Sequence, residues 1–215
     1  YGFNHRYHES IKLAKKIISQ KMYGDVVNIR AIYGKSKIIT FKKCDWRAKR
    51  KFAGGGILLD QGIHLLDLLY YFVGKFEKYK SFISNRYWKY DVEDNAFGLM
   101  KNGKGVIASI HSTATQWQHK FSMEISLNHA TLLLNGILSG SKSYGKETIT
   151  IISKKNKIKK KIFYSKDNSW KQEIDEFAEI ILKNLKVKTG NSEQALDVMN
   201  MVYKIYKDDK SWRYN

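Results

Sequence analysis

The chemistry-bearing pattern in this sequence is a run of three glycines at 54–56 followed by Asp60 and His64. Asp60 and His64 are four residues apart, so on a helix they lie on the same face. A carboxylate beside an imidazole can orient the ring and raise its basicity, which gives a general base near neutral pH. Two plainer interpretations stay open: Asp60 as the N-cap of the following helix, and His64 as a buried histidine. Asp67 is either a buried hydrogen-bonding carboxylate or a further member of the site.

The three glycines permit a tight backbone turn or the close approach of a ligand. They do not form a dinucleotide fingerprint, because no strand with G-x-G-x-x-G spacing precedes them. The segment 34–56, which ends with these glycines, has no clear periodicity and contains Trp46-Arg47. Long irregular segments inside a compact domain are usually functional or disordered.

The elements that position this pattern begin with a helix predicted from Ser10, as N-cap, to about Met22, and a strand at 26–33. The stretch after the glycines is apolar almost all round, which predicts a buried helix that starts near Asp60 and ends at Gly74.

After Gly74 the hydrophobic period changes to two, which indicates consecutive strands. The predicted strands are 78–87, 95–101, 105–115, 121–127 and 130–134. Two more flank a basic turn at 154–157, and two helices follow, the last capped by Ser192. Its predicted inward residues are Ala195, Val198, Met199, Val202 and Ile205.

These elements predict a single α+β domain over 1–215, with a large, open, mostly antiparallel sheet and helices on one face. Strands and helices do not alternate, which excludes a doubly wound nucleotide-binding domain. Apolar residues on both sides of the segment 106–108 indicate that the second sheet face is a partner surface.

The composition gives 39 Lys+Arg against 20 Asp+Glu and a net charge of +19, which raises the possibility of nucleic-acid binding. Only six of the basic residues are arginine, and the lysines are spread along the chain, so nucleic acid is not the expected partner. Cys44 is the single cysteine, which suits a reducing compartment. No uninterrupted apolar run approaches the length of a membrane span, and a cytoplasmic protein is expected.

The run from Gly54 to Gly74, GGGILLDQGIHLLDLLYYFVG, resembles the signature G-G-G-x-L-x-D-x-G-x-H-x-x-D of the Gfo/Idh/MocA oxidoreductase family, which includes glucose–fructose oxidoreductase and inositol dehydrogenase. Residues 1–8, YGFNHRYH, resemble the family's G-F-N-x-R-F/Y-x-P motif, with Glu9 in place of the proline. Trp46-Arg47, the run VEDNA at 92–96 and the run WKQEIDEF at 170–177 match later family motifs in order.

The resemblance implies the C-terminal domain of an NAD(P)-dependent oxidoreductase acting on a sugar, polyol or sugar-nucleotide hydroxyl. Family members bind NAD or NADP mainly through an N-terminal Rossmann domain, which also carries a Glu-Lys-Pro motif with a catalytic lysine. Neither feature is in this sequence, which has no proline. The fragment alone is therefore expected to hold no cofactor and to be inactive. The family's open sheet face commonly makes a homo-oligomer contact.

By the same resemblance, His64 is the acid–base that takes the hydroxyl proton during hydride transfer. Asp60 hydrogen-bonds the substrate and tunes His64. Arg47, beside Trp46, anchors a substrate oxygen or phosphate, and a surface ion pair is the open alternative for this arginine. No metal site is expected.

Two other functions stay open at this stage. One is a non-catalytic binding or assembly module that kept the fold without the cofactor domain. The other is a basic nucleic-acid binder.

Overall fold

The computed structural model describes residues 1–38, 46–139, 143–153 and 159–212, and these contain an eight-stranded sheet. In chain order the strands are β1 (Val26–Gly34), β2 (Lys78–Ser84), β3 (Asn95–Lys101), β4 (Ile107–Thr113), β5 (Lys120–Leu127), β6 (Ala130–Asn135), β7 (Glu147–Ser153) and β8 (Lys159–Tyr164). Their spatial order is β2-β3-β4-β1-β5-β6-β7-β8. All the predicted strands are present, although those at 78–87 and 105–115 are shorter than predicted.

Strand β1 is remote from the other strands in sequence but lies in the middle of the sheet. It pairs parallel with β4 and antiparallel with β5, and Ile29 lies opposite both Ala108 and Ile125. The remaining neighbouring strands pair antiparallel. A parallel pair needs a long crossover, and the chain between β1 and β4 supplies one through a helical region and the strands β2 and β3. The prediction of a mostly antiparallel sheet is confirmed.

The helices are α1 (Glu9–Ser19), α2 (Arg50–Ala53), α3 (Ile63–Val73), α4 (Ser169–Leu182) and α5 (Ser192–Asp208). Helix α3 packs against β1, α1 and α5, and it is the central helix of the layer that covers one sheet face. Its leucines at 65, 66, 68 and 69 are completely buried, as the nearly uniform apolar sequence predicts. The predicted α+β class is therefore confirmed, and α3 gives the polar residues at its start a rigid support.

The segment Arg50–Val73 is long and apolar enough to span a membrane by length and composition alone. However, 61% of its most apolar window is buried inside the fold. Within the described residues no other helix passes this test. The burial of this segment is that of a core helix, because its apolar surface already contacts the sheet and α5.

The predicted N-caps of the first and last helices are wrong. Ser10 lies inside α1, and its N–H donates to Oε1 of Glu147 on β7 at 2.7 Å. Ser192 is the first residue of α5, whose N-cap is Asn191, and Oδ1 of Asn191 accepts from the N–H of Gln194 at 2.9 Å. Glu147 is distant in sequence, yet its carboxylate contacts both His8, the N-cap of α1, and the N–H of Ser10. No local sequence pattern indicates such a partner.

The last two helices bury different fractions of their apolar residues. Helix α5 buries four of the five predicted inward residues: Ala195, Val198, Val202 and Ile205. The fifth, Met199, is 43% exposed, and Met201 is the buried methionine instead. Helix α4 leaves its apolar residues in solvent: Trp170, Ile174, Phe177, Ile181 and Leu182. The predicted basic turn at 154–157 lies outside the described residues, and its flanking strands β7 and β8 pair antiparallel.

Candidate active site

Asp60 and His64 lie on one continuous helical segment, in which a π-helical turn at Leu58–Gly62 runs directly into α3. The N–H of Asp60 donates to the carbonyl oxygen of Gly56 at 2.8 Å, so Asp60 is a residue within the helical segment. The interpretation of Asp60 as an N-cap is therefore wrong, and its carboxylate is available for other contacts. π-Helical turns inside helices are frequent at functional sites, because the extra residue re-aims the side chains.

The carboxylate of Asp60 contacts two cations. Lys35, which directly follows β1, places Nζ 2.5 Å from Oδ2, and Arg47 places Nε 3.5 Å from Oδ1. The side chain of Lys35 is only 9% exposed, whereas that of Asp60 is 35% exposed at the edge of the cleft. Lys35 is a site residue that the sequence does not reveal, because nothing distinguishes it from the many other lysines of the chain.

Arg47 and Trp46 belong to a short 3-10 turn at Trp46–Ala48. The guanidinium carbon of Arg47 lies 4.5 Å from the centroid of the Trp46 ring, a cation–π contact that holds the arginine extended over the indole. A small cavity of about 110 Å³ opens beside them. Its lining includes Trp46, Arg47, Gly56, Ile57 and Asp60. The structure thus brings three of the four predicted site residues to one cavity.

His64 lies one helical turn beyond Asp60, where it is partly buried. Its Nδ1 is buried and has no hydrogen-bond partner among the described residues. Burial lowers the pKa of His64 from 6.5 to about 4; Asp60 raises this pKa and His8 lowers it further. The imidazole is therefore neutral at neutral pH, which is the form that can accept a proton.

Two further histidines lie behind His64, and the sequence did not single them out. His5 stacks on His64, with ring centroids 4.1 Å apart, and meets His8 edge-on at 5.7 Å. His8 is held by Glu147, whose Oε2 lies 3.0 Å from His8 Nδ1. The only sequence signal for this cluster is the pair of histidines within the run at 1–8.

The three glycines serve the fold. The N–H groups of Gly56 and Leu58 donate to the carboxylate of Glu93 at 2.7 and 2.8 Å, and the Tyr206 hydroxyl donates to it at 2.6 Å. A Cβ on Gly56 would lie 2.2 Å from the backbone oxygen of Glu93. Both local features belong to the fold: Gly54 ends α2 in a left-handed turn, and the group that approaches Gly56 closely is the backbone of Glu93 rather than a ligand. Backbone N–H groups that could cradle a phosphate are already occupied there.

Asp67 is a structural residue. Its carboxylate accepts from Nε and Nη2 of Arg6 at 2.5–3.1 Å, and both side chains are buried. The Nη1 of Arg6 donates to Thr189 and Gln194, each at 2.7 Å. This bidentate pair joins the N-terminal segment to α3 and leaves Asp67 no role in the cleft.

The described residues contain no group of three or more His, Cys, Asp or Glu side chains placed to hold a metal ion. Cys44 lies outside the described part of the chain. The cavity is instead lined by the Asp60 carboxylate and by Arg47, and Lys35 is bound to the same carboxylate. His64, one helical turn beyond Asp60, is not among the described residues that line the cavity. These groups can hydrogen-bond a polar ligand and take up one proton from it.

Comparison with known proteins identifies relatives of this domain. A family model described as the GFO/IDH/MocA C-terminal domain matches residues 11–133. Glucose-6-phosphate 3-dehydrogenase of Bacillus subtilis is 35% identical over 72 residues, which are 33% of this chain and 20% of that protein. Levoglucosan dehydrogenase of Pseudarthrobacter phenanthrenivorans is 27% identical over 108 residues, which are 48% of this chain and 28% of that protein.

Solved structures with the same fold include a levoglucosan dehydrogenase in complex with NADH and levoglucosan. Its TM-score is 0.80 at 16% identity, and the match covers 96% of this chain and 63% of that one. An aldose–aldose oxidoreductase from Caulobacter crescentus has a TM-score of 0.79 at 19% identity, with 99% and 62% covered. The chain thus spans less than two thirds of these solved chains and less than a third of the two curated relatives.

The family model covers more than half of the chain, and it includes the helical segment that carries Asp60 and His64. The open sheet with helices on one face agrees with the structural neighbours. The chain belongs to the GFO/IDH/MocA family and contains its C-terminal domain.

Proposed function

We propose that this chain is the substrate domain of an NAD(P)-dependent oxidoreductase that acts on a sugar, polyol or sugar-nucleotide hydroxyl by hydride transfer. The observation that carries the proposal is the pair formed by Asp60 and His64 at the start of α3, beside a cavity lined by Asp60 and Arg47. Family membership supports it, and so do the names of the two curated relatives, both of which are sugar dehydrogenases.

In the proposed reaction, neutral His64 accepts the proton of the substrate hydroxyl while the carbon that carries this hydroxyl is oxidised by loss of hydride. Asp60 hydrogen-bonds the substrate, and its negative charge stabilises the imidazolium that forms on His64. NAD or NADP, bound mainly by a domain outside this chain, would supply the hydride acceptor. The proton therefore stays on this domain, at His64, until solvent removes it.

The glycine turn bears on the proposal that the cofactor is bound mainly outside this chain. The glycine turn at 54–56 is occupied by Glu93, and no strand leads into it with the spacing of a nucleotide fingerprint. This supports the placement of the cofactor in a separate Rossmann domain, with residues 1–215 as one α+β substrate domain.

Arg47 and Trp46 are proposed as substrate-binding residues, with Lys35 as an addition from the structure. Trp46 is 42% exposed, and we propose that the part of its ring not covered by Arg47 packs against the C–H face of a sugar. Arg47 lines the cavity, and Lys35 is bound to the same carboxylate of Asp60; both are proposed to donate to substrate oxygens. The ion pair of Arg47 with Asp60 is thus compatible with a role in binding.

The apolar face of α4 is the proposed packing surface for the cofactor domain. Trp170, Ile174 and Phe177 are each more than 60% exposed on it. A groove of about 590 Å³ runs beside α4, and Tyr1 and Gly2 line its wall. An apolar helix face of this kind indicates a partner.

The outer sheet face is the proposed homo-oligomer contact. Phe82 lies opposite Phe97 across β2 and β3, and both are exposed on the face away from the helices. Leu99, Ile107 and Phe163 are also exposed. Light scattering on the intact protein should give an oligomer, and Phe82→Lys with Phe97→Lys should reduce its mass, whereas Phe52→Lys on α2 should not. A monomeric wild type would refute the contact.

A cytoplasmic location is proposed from the single cysteine. Nucleic acid is not a proposed partner, because only six of the 39 basic residues are arginine and the lysines are spread along the chain.

The function is tested with the intact protein as its gene encodes it. It is incubated with NAD or NADP and a panel that includes glucose 6-phosphate, levoglucosan and sugar nucleotides, and formation of the reduced cofactor is followed by absorbance. We expect turnover of at least one sugar, and a loss of substrate affinity in Arg47→Ala. If the protein binds a sugar but reduces neither cofactor with any member of the panel, it is a non-catalytic binding module.

A further inference from the structure

His5 makes the closest ring contact with His64. The two imidazoles are stacked, with centroids 4.1 Å apart and planes only 19° apart. His5 comes from the 3-10 turn at Asn4–Tyr7, so the contact joins the N-terminal segment to the first turn of α3. Since imidazole faces attract by dispersion and exclude water, this contact buries one face of His64.

The ring of His5 is itself held in place from both nitrogens. Nδ2 of Asn4 donates to Ser169 Oγ, so Asn4 Oδ1 is the atom that accepts from His5 Nδ1 at 3.1 Å. His5 Nε2 then accepts from the Tyr33 hydroxyl at 3.3 Å. This assigns the Nδ1–H tautomer to His5 and makes its ring a fixed platform.

His64 lacks such a support. Its Nδ1 is buried without a partner among the described residues, so no hydrogen bond at that nitrogen orients the ring. Imidazoles that act as bases are usually oriented by a hydrogen bond at the nitrogen away from the substrate. In this chain the stack with His5 is the contact that can orient the ring of His64 instead.

We propose that His5 is the positioning residue of His64: its hydrogen-bonded ring fixes the plane of His64 and shields it from water, so that His64 presents Nε2 to the substrate hydroxyl. The orientation and shielding rest on the geometry of the free domain. The presentation to a substrate rests on the function proposed above.

The protonation of His64 depends on the groups around it. Asp60 faces it from its own helical segment, and His5 and His8 face it from the N-terminal segment. Burial and the charges of His64 and His8 lower the pKa of His5 well below 6.5. His5 is therefore neutral when His64 takes up its proton, and it acts on His64 by excluding water rather than by charge.

The test is an NMR titration of the histidine ring protons in this chain and in two variants. His5→Ala removes the platform, so the pKa of His64 should rise from about 4 toward 6.5 by at least about one pH unit. The ring-current shift of the His64 protons should be lost at the same time. His5→Phe keeps a planar ring against His64, so its pKa should stay close to about 4.

The matched control is His111→Ala, which removes another stacked imidazole, on Phe97, from the opposite sheet face. It should leave the titration of His64 unchanged. If His5→Ala does not fold, His5→Leu replaces it, and the pKa of His64 should then be higher in the leucine variant than in the phenylalanine variant. An unchanged His64 titration in these variants, or an equal change in His5→Phe, would overturn the positioning role.

A second measurement separates this inference from the proposed function. In the intact protein, the acid limb of the pH profile of kcat/KM, measured with whichever sugar is turned over, should move up in His5→Ala by the same amount as the NMR pKa. If the NMR pKa moves and the kinetic limb does not, His64 is not the base, and the positioning of its ring by His5 still holds.

Discussion

The bidentate contact between Arg6 and Asp67 gives the largest stability effect that the structure implies. Asp67→Ala would leave the buried guanidinium with its hydrogen bonds to Thr189 and Gln194 and its ring contacts with Phe3 and Tyr71, but without a counter-charge. Arg6 and Asp67 are 4% and 0% exposed, and removal of one partner from such a pair costs about 3–5 kcal/mol. Domains of this size are stable by roughly 5–15 kcal/mol, so the loss is a large fraction of the total.

The pair formed by Arg30 and Glu124 is the matched control. Its contact is 2.6 Å against 2.5 Å for the buried pair, but Arg30 is 67% exposed. Glu124→Ala should therefore change the free energy of unfolding by less than about 1 kcal/mol. Burial is the variable that separates the two pairs.

The free energy of unfolding is measured by urea denaturation, with the thermal midpoint as a check. Asp67→Ala should lower the midpoint by roughly 6–20 °C, since about 1 kcal/mol corresponds to 2–4 °C in a chain of this length. Arg6→Met combined with Asp67→Leu should cost less than Asp67→Ala alone, because no charge is left buried. Equal losses for Asp67→Ala and Glu124→Ala would refute the reasoning.

Three further predictions concern the support of the site. Glu93→Gln should lower the free energy of unfolding by about 2–4 kcal/mol, because an amide cannot accept from all three donors, and Tyr206→Phe should cost less; thermal unfolding compares them. Gly56→Ala should destabilise by more than about 2 kcal/mol, because its Cβ would meet the Glu93 backbone. At Gly105 a Cβ would meet no atom, so Gly105→Ala should cost only the roughly 1–2 kcal/mol of its positive φ, and a smaller loss for Gly56→Ala would contradict the packing. The pKa of His64 is near 6.5 in the unfolded chain and about 4 in the folded chain, so the unfolded chain binds the proton more tightly. The free energy of unfolding should therefore fall as the pH falls from 6.5 to 4, by up to about 1.4 kcal/mol per pH unit. In His64→Phe, urea denaturation should show a flatter dependence of this free energy on pH.

Much of the fold could be predicted from the sequence because its periodicities are strong. The alternation in 95–101 and the uniform apolar run of α3 both specify their environment locally. The central position of β1 could not be predicted in this way, since its pairing with β4 and β5 depends on contacts between distant parts of the chain. The contact of Glu147 with the start of α1 could not be predicted for the same reason.

For the candidate site, too, the residues on one local segment could be predicted and those from distant elements could not. Asp60 and His64 were identified by their spacing on one helix, and Trp46 and Arg47 by their motif. Lys35, His5 and Glu93 were missed as site partners, because each reaches the α3 segment from another element. The π-helical turn also carries no signature in the sequence, and it replaced the expected N-cap at Asp60.

The most direct test of the account is the kcat of His64→Gln in the intact protein, with saturating sugar and cofactor. If His64 is the acid–base, kcat should fall by about 10²–10⁴-fold while the protein stays folded. His129→Gln, a histidine between β5 and β6, should retain the activity of the wild type. Wild-type turnover in His64→Gln would contradict the central claim that this imidazole takes the substrate proton.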